Sequence, residues 1–80
     1  MRFFIRDAKE IRTLLSRALA LGHAALDKPT STGLREARKF LARVLSMIDE
    51  KLLGGELTDL FQAARQLVSA IDRKQAAALA

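Results

Sequence analysis

Apolar residues recur along this chain at three- and four-residue steps, the period of an amphipathic α-helix. The first stripe is Phe4, Ala8, Ile11, Leu14, Leu15, Ala18, Leu21 and Ala25, with Arg2, Arg6, Lys9, Thr13 and Ser16 on the opposite face. It predicts a helix from about Phe3 to Leu26 that stops before Pro29, since proline lacks an N–H and disfavours helical geometry in the residue before it. Asp27-Lys28-Pro29-Thr30-Ser31-Thr32-Gly33 reads as a loop whose Thr/Ser cluster can cap a second helix. That helix is predicted from about Gly33 to Leu53, with Leu34, Ala37, Leu41, Val44, Leu45, Ile48 and Leu52 inward. Gly54 stands where a glycine following a helix is expected, and Gly55 follows it. The short turn implied there folds a third helix back as an antiparallel hairpin. The third helix begins at Glu56 or Thr58 and reaches the late seventies, with Leu57, Leu60, Phe61, Ala64, Leu67, Val68 and Ile71 inward. Its alanine-rich tail from Gln75 is expected to fray. The fold class is therefore all-α: one domain over residues 1–80, a small three-helix bundle expected to self-associate.

The three helices are written alike. Aligned on Arg12, Arg38 and Arg65, each has an arginine, a polar residue, two apolar residues, a small residue, a variable one and another apolar one. The arginines lie 26 and 27 residues apart. A shared packing problem accounts for this likeness, with duplication as the other source, and one helix per unit matches no common solenoid array.

Composition narrows the picture further. Half of the 80 residues are hydrophobic, with four Phe and no Tyr, Trp or Cys. A core of this size is marginal and has no disulfide to support it, which favours self-association. No stretch is long and apolar enough to span a bilayer, and the start lacks the apolar core of a signal peptide, so a cytoplasmic protein is expected. Membrane-surface binding through Phe3, Phe4 and Ile5 is a minor reading. The net charge is +5. Residues 1–26 carry five basic and two acidic side chains, residues 27–53 six and four, and residues 54–80 three and three. Attraction to an anionic partner thus belongs to the first two helices.

Candidate chemistry is sparse. His23-Ala24-Ala25-Leu26-Asp27-Lys28 resembles, over six residues, the phosphoacceptor motif of histidine phosphotransfer domains. It departs from that motif at Leu26, where a lysine belongs, and at Pro29, which ends the helix. His23 reads instead as a residue suited to the negative end of a helix dipole. One histidine with no cysteine gives no metal or haem ligand set, so no cofactor is expected. Thr30-Ser31-Thr32-Gly33 has no P-loop pattern and reads as a cap. A DNA-reading helix-turn-helix is disfavoured by the acidic start of the third helix and its neutral charge. No nucleophile–base pair or carboxylate pair is visible, so the chain is not expected to be an enzyme.

Two surfaces remain. Arg2, Arg6, Lys9, Arg12, Arg35, Arg38, Lys39 and Arg43 would make one basic stripe if the first two helices lie side by side, or else a solvated face with helical ion pairs Arg6–Glu10 and Glu36–Lys39. Phe3, Ile5, Phe40, Met47 and Leu53, with Leu19 and Leu26, fall beside or outside the inward stripes as an apolar surplus. The leading expectation is a small non-catalytic interaction protein (an assembly factor, regulator or inhibitor) that forms a homo-oligomer, a dimer first, or docks on a larger protein. The alternative is a basic accessory protein that binds nucleic acid without sequence specificity. With no Tyr or Trp to stack on bases, base readout is not expected.

Overall fold

A computed structural model describes residues 4–79. Three helices pack against one another: α1, Ala8–Asp27; α2, Ser31–Ser46; and α3, Glu56–Leu79. A single 3-10 turn, Glu50–Leu52, lies between α2 and α3. Helix α2 runs antiparallel to both others, so α1 and α3 are parallel. Arg12 reaches Glu56 and Gly22 lies against Leu67, whereas Arg38 meets Asp72. The core comprises Ile11, Leu15 and Ala18 from α1, Leu34, Ala37, Leu41 and Val44 from α2, Ile48 from the link, and Phe61, Ala64, Leu67 and Ile71 from α3. Leu15, Leu41, Val44 and Ile71 are fully enclosed. Among the described residues no polar or charged side chain is buried.

The helix boundaries differ from expectation at three places. Helix α1 starts at Ala8, not near Phe3, because Asp7 caps it: its carboxylate accepts the N–H groups of Lys9 at 2.9 Å and Glu10 at 3.5 Å. Ile5 instead donates its N–H to the Met47 carbonyl at 2.8 Å, tying the segment before the cap to the end of α2. Phe4 is therefore not on an inward stripe and stands exposed. Thr30 caps α2 by accepting the Gly33 N–H at 2.9 Å, which uses the Thr/Ser cluster as expected.

Helix α2 ends at Ser46, well before Leu53. The Ser46 hydroxyl donates to the Arg43 carbonyl at 2.7 Å, a local bond that competes with helical pairing. Met47 and Ile48 then donate their N–H groups only three residues back, to the Val44 carbonyl at 3.1 Å and the Leu45 carbonyl at 3.4 Å. Asp49 starts a fresh turn by accepting the Lys51 N–H at 3.1 Å. Ile48 stays in the core, but Leu52, expected inward, is 66% exposed. The connection to α3 is residues 47–55 rather than a tight glycine turn. Gly55, with φ of 54°, supplies the left-handed step into α3.

Helix α3 continues through the alanine-rich tail to Leu79. Ala77 and Ala78 are exposed and face Pro29, Thr30 and Leu34 across a hollow at the start of α2.

Gly22 lies within α1. It is buried where the three helices meet, and a Cβ placed there would lie 2.2 Å from Leu67 Cδ2 and 3.2 Å from Leu41 Cδ1. Its missing side chain lets α1 approach both neighbours.

Candidate docking face

The three repeat arginines share one placement. In α1 and α2 the residues one before, three after and six after the arginine are all buried: Ile11, Leu15 and Ala18, then Ala37, Leu41 and Val44. In α3, Ala64 and Ile71 are buried and Val68 is half-buried. Each arginine thus stands on the same flank of its helix's apolar stripe.

Helix direction decides where that flank points. In α1 and α3, which are parallel, it turns in one sense around the bundle, and in antiparallel α2 it turns in the other. Arg12 consequently reaches across the α1–α3 seam to Glu56 at 3.0 Å. Arg38 reaches from α2 to Asp72 on α3 through both Nε and Nη2. Arg65 reaches from α3 to Glu50 in the turn after α2 at 3.4 Å, and Gln62 donates to the same carboxylate at 2.7 Å. The hydrogen bond and charge of Asp72 raise the pKa of the Arg38 guanidinium above its ordinary value. All three pairs bind α3 to its surroundings. Among the described residues no side-chain hydrogen bond or ion pair joins α1 to α2.

The α1–α2 seam is open and apolar. A groove of about 500 Å³ runs along it, lined by Leu21, Ala24 and Ala25 from α1 and by Gly33, Ala37 and Phe40 from α2, with Lys28 and Glu36 at its rim. Leu21, expected in the core, is 45% exposed, and Phe40 is half-buried. Leu21 sits toward α2 on the edge of its stripe, where no third helix covers it.

The apolar surplus divides between two places. Phe40 lines the groove, and Met47 stands half-buried just past the end of α2. Ile5 and Leu53 are half-buried in a separate hollow at the end of the bundle, with Ala8, Ile11, Leu52 and Leu57. Leu19 and Leu26 pack half-buried against the core. Phe3 lies outside the described residues.

The basic residues do not form one stripe. Arg12 and Arg38 lie on different seams, each engaged by a carboxylate. Arg6 and Lys9 are exposed at the start of α1, and Arg35 borders the hollow at the opposite end of the bundle with Lys74. Lys39 and Arg43 flank Phe40 on α2. Arg2 lies outside the described residues. Of the helical pairs expected, Arg6–Glu10 fails because Arg6 precedes α1, and Glu36–Lys39 is not among the ion pairs formed.

Sequence reasoning marked Arg12, Arg38 and Arg65 as equivalent but missed their carboxylate partners. It also missed Leu21 as a surface residue. The signal was its place at the stripe's edge.

His23 is exposed on α1. Among the described residues no group of three or more His, Asp or Glu side chains is placed to hold a metal ion. No described helix is long and apolar enough to cross a membrane. No family model, curated protein or solved structure matches this chain.

Proposed function

We propose that this chain is a small, non-catalytic, cytoplasmic helical interaction protein, an assembly factor, regulator or inhibitor that acts by self-association or by docking on a larger protein. The α1–α2 side is its docking face. One observation carries the reading: Leu21 and Phe40 meet solvent beside an apolar groove on the α1–α2 seam, which no side-chain hydrogen bond or ion pair crosses among the described residues. Interface centres are apolar and rich in aromatic anchors, with charge at the rim, and Lys28 and Glu36 are placed as such a rim. The alternative, a basic accessory protein on nucleic acid, draws less support, because Arg12 and Arg38 are engaged by carboxylates on separate seams.

A photo-crosslinking side chain at Phe40, compared with one at exposed Ser69 on α3, tests the proposal in cells. Crosslinks to protein from position 40 and not from 69 are expected. No product above the position-69 control overturns it. Tight duplex binding at about 0.15 M salt that weakens steeply as salt rises would favour the nucleic-acid alternative.

A further inference from the structure

Resting on that interaction-protein reading, we infer that the partner on the α1–α2 side is a second copy of this chain, related by a two-fold axis that passes beside Phe40. The argument begins with one row of α2. Glu36, Phe40 and Arg43 recur at steps of four and three residues, so they lie along one side of the helix. Glu36 precedes Phe40 by about 6 Å and Arg43 follows it by about 4.5 Å, at 1.5 Å of rise per residue. The two are opposite in charge, both are exposed, and neither belongs to the three ion pairs formed among the described residues.

Such a row is complementary to itself. In an isologous interface residue i meets j and j meets i. When α2 lies antiparallel to α2 of a second copy and crosses it at Phe40, Glu36 falls opposite Arg43 of the partner subunit, and Arg43 opposite Glu36 of the partner subunit. The same operation sets Phe40 beside Phe40 of the partner subunit. A surface hollow of about 190 Å³ lined by Glu36, Lys39, Phe40 and Arg43 is already present there. Lys39 stands at the outer edge of the row, where its stem can lie along the contact while its charge stays in water.

Helix α1 fits the same operation. Leu21 lines the groove with Phe40, so the two-fold brings it toward Leu21 of the partner subunit. Every helix at the contact then neighbours an antiparallel one, which opposes their dipoles favourably. A stable dimer covers about 800 Å² per partner. That is about one-seventh of the 5629 Å² this chain exposes, an extent that one side of a three-sided bundle can supply.

Charge exchange tests the geometry. By sedimentation equilibrium at micromolar concentration the wild-type chain is expected to be a dimer. Glu36→Arg alone, or Arg43→Glu alone, sets like charges opposite one another twice per dimer. Each should weaken association by roughly ten- to a hundredfold. The double variant E36R/R43E restores both pairs and should dimerise again. An equimolar mixture of the two single variants should form a heterodimer, since each supplies the charge the other lacks. Circular dichroism identifies folded variants. The inference is overturned by a wild-type chain that stays monomeric, by single variants that associate like wild type, or by a folded double variant or mixture that remains monomeric. A monomeric wild type whose position-40 crosslinker captures a different protein removes the second copy and leaves the broader reading standing. A monomer that captures nothing removes both.

Discussion

The two seams of α3 and the seam between α1 and α2 are built from the same repeated helix and end up chemically opposite. The α3 seams are crossed by Arg12–Glu56, Arg38–Asp72 and Arg65–Glu50. Among the described residues the α1–α2 seam is crossed by no such pair, and it keeps Leu21 and Phe40 at its surface. The difference follows from topology. A flank occupied by arginine in three helices that run up, down and up cannot face all three seams, and here it leaves the α1–α2 seam out. The repeat therefore builds a bundle and, by the same geometry, an unlatched apolar side.

Substitutions at the centre of the bundle, below both kinds of seam, should have the largest effect. Leu41→Ala or Leu67→Ala is expected to cost about 2–5 kcal/mol, the usual range for a truncated core leucine, and to lower the melting temperature sharply or unfold so small a chain. An unchanged melting temperature would mean that the inward faces are misassigned. Gly22→Ala comes next. Alanine gains about 1 kcal/mol of helix propensity over glycine. Its Cβ, however, meets Leu67 Cδ2 at 2.2 Å and Cγ at 2.8 Å, so Leu67 must move within a packed core at about 1–3 kcal/mol. A net loss in thermal stability is expected, and a gain would show that the three helices do not meet closely at this point.

The seams themselves separate by readout. Phe40→Asp should leave the helical circular dichroism signal in place while removing self-association, because it puts a charge at the centre of the apolar side. Arg12→Ala, Arg38→Ala and Arg65→Ala should each change stability by no more than about 1 kcal/mol, as expected of exposed ion pairs, and leave self-association unaltered. A Phe40→Asp chain that associates normally, or an arginine variant that does not associate, would erase the distinction between the seams.

Much of this was legible in the sequence, and the misses have physical causes. The inward stripes of α2 and α3 could be read from period alone. The end of α2 could not, because Ile48 keeps the helical rhythm and is buried although the helix has already stopped at Ser46. Ser46 and Asp49 carried the stop signal, but side chains that bond their own backbone do not disturb an apolar pattern. Asp7 caps α1, yet Phe4 extended the apolar stripe across it. The packing role of Gly22 carried no sequence signal, because a missing side chain marks a loop or a close approach equally well. The arginine repeat was visible, but its meaning was not. The partners lie 44, 34 and 15 residues away, and only the chain's path brings them near. The docking face was legible in half: Phe40 stood out as surplus, whereas Leu21 was hidden by sharing its helix's apolar stripe.

The central claim is that association belongs to the α1–α2 side. The most direct test is backbone amide chemical shifts followed as the wild-type chain is diluted through the micromolar range. Shifts that move with concentration should cluster at Leu21, Ala24, Glu36, Phe40 and Arg43, while those of Arg65, Ser69 and Asp72 on α3 stay fixed. Movement centred on the α3 residues, or spectra that do not change with dilution, would contradict the account.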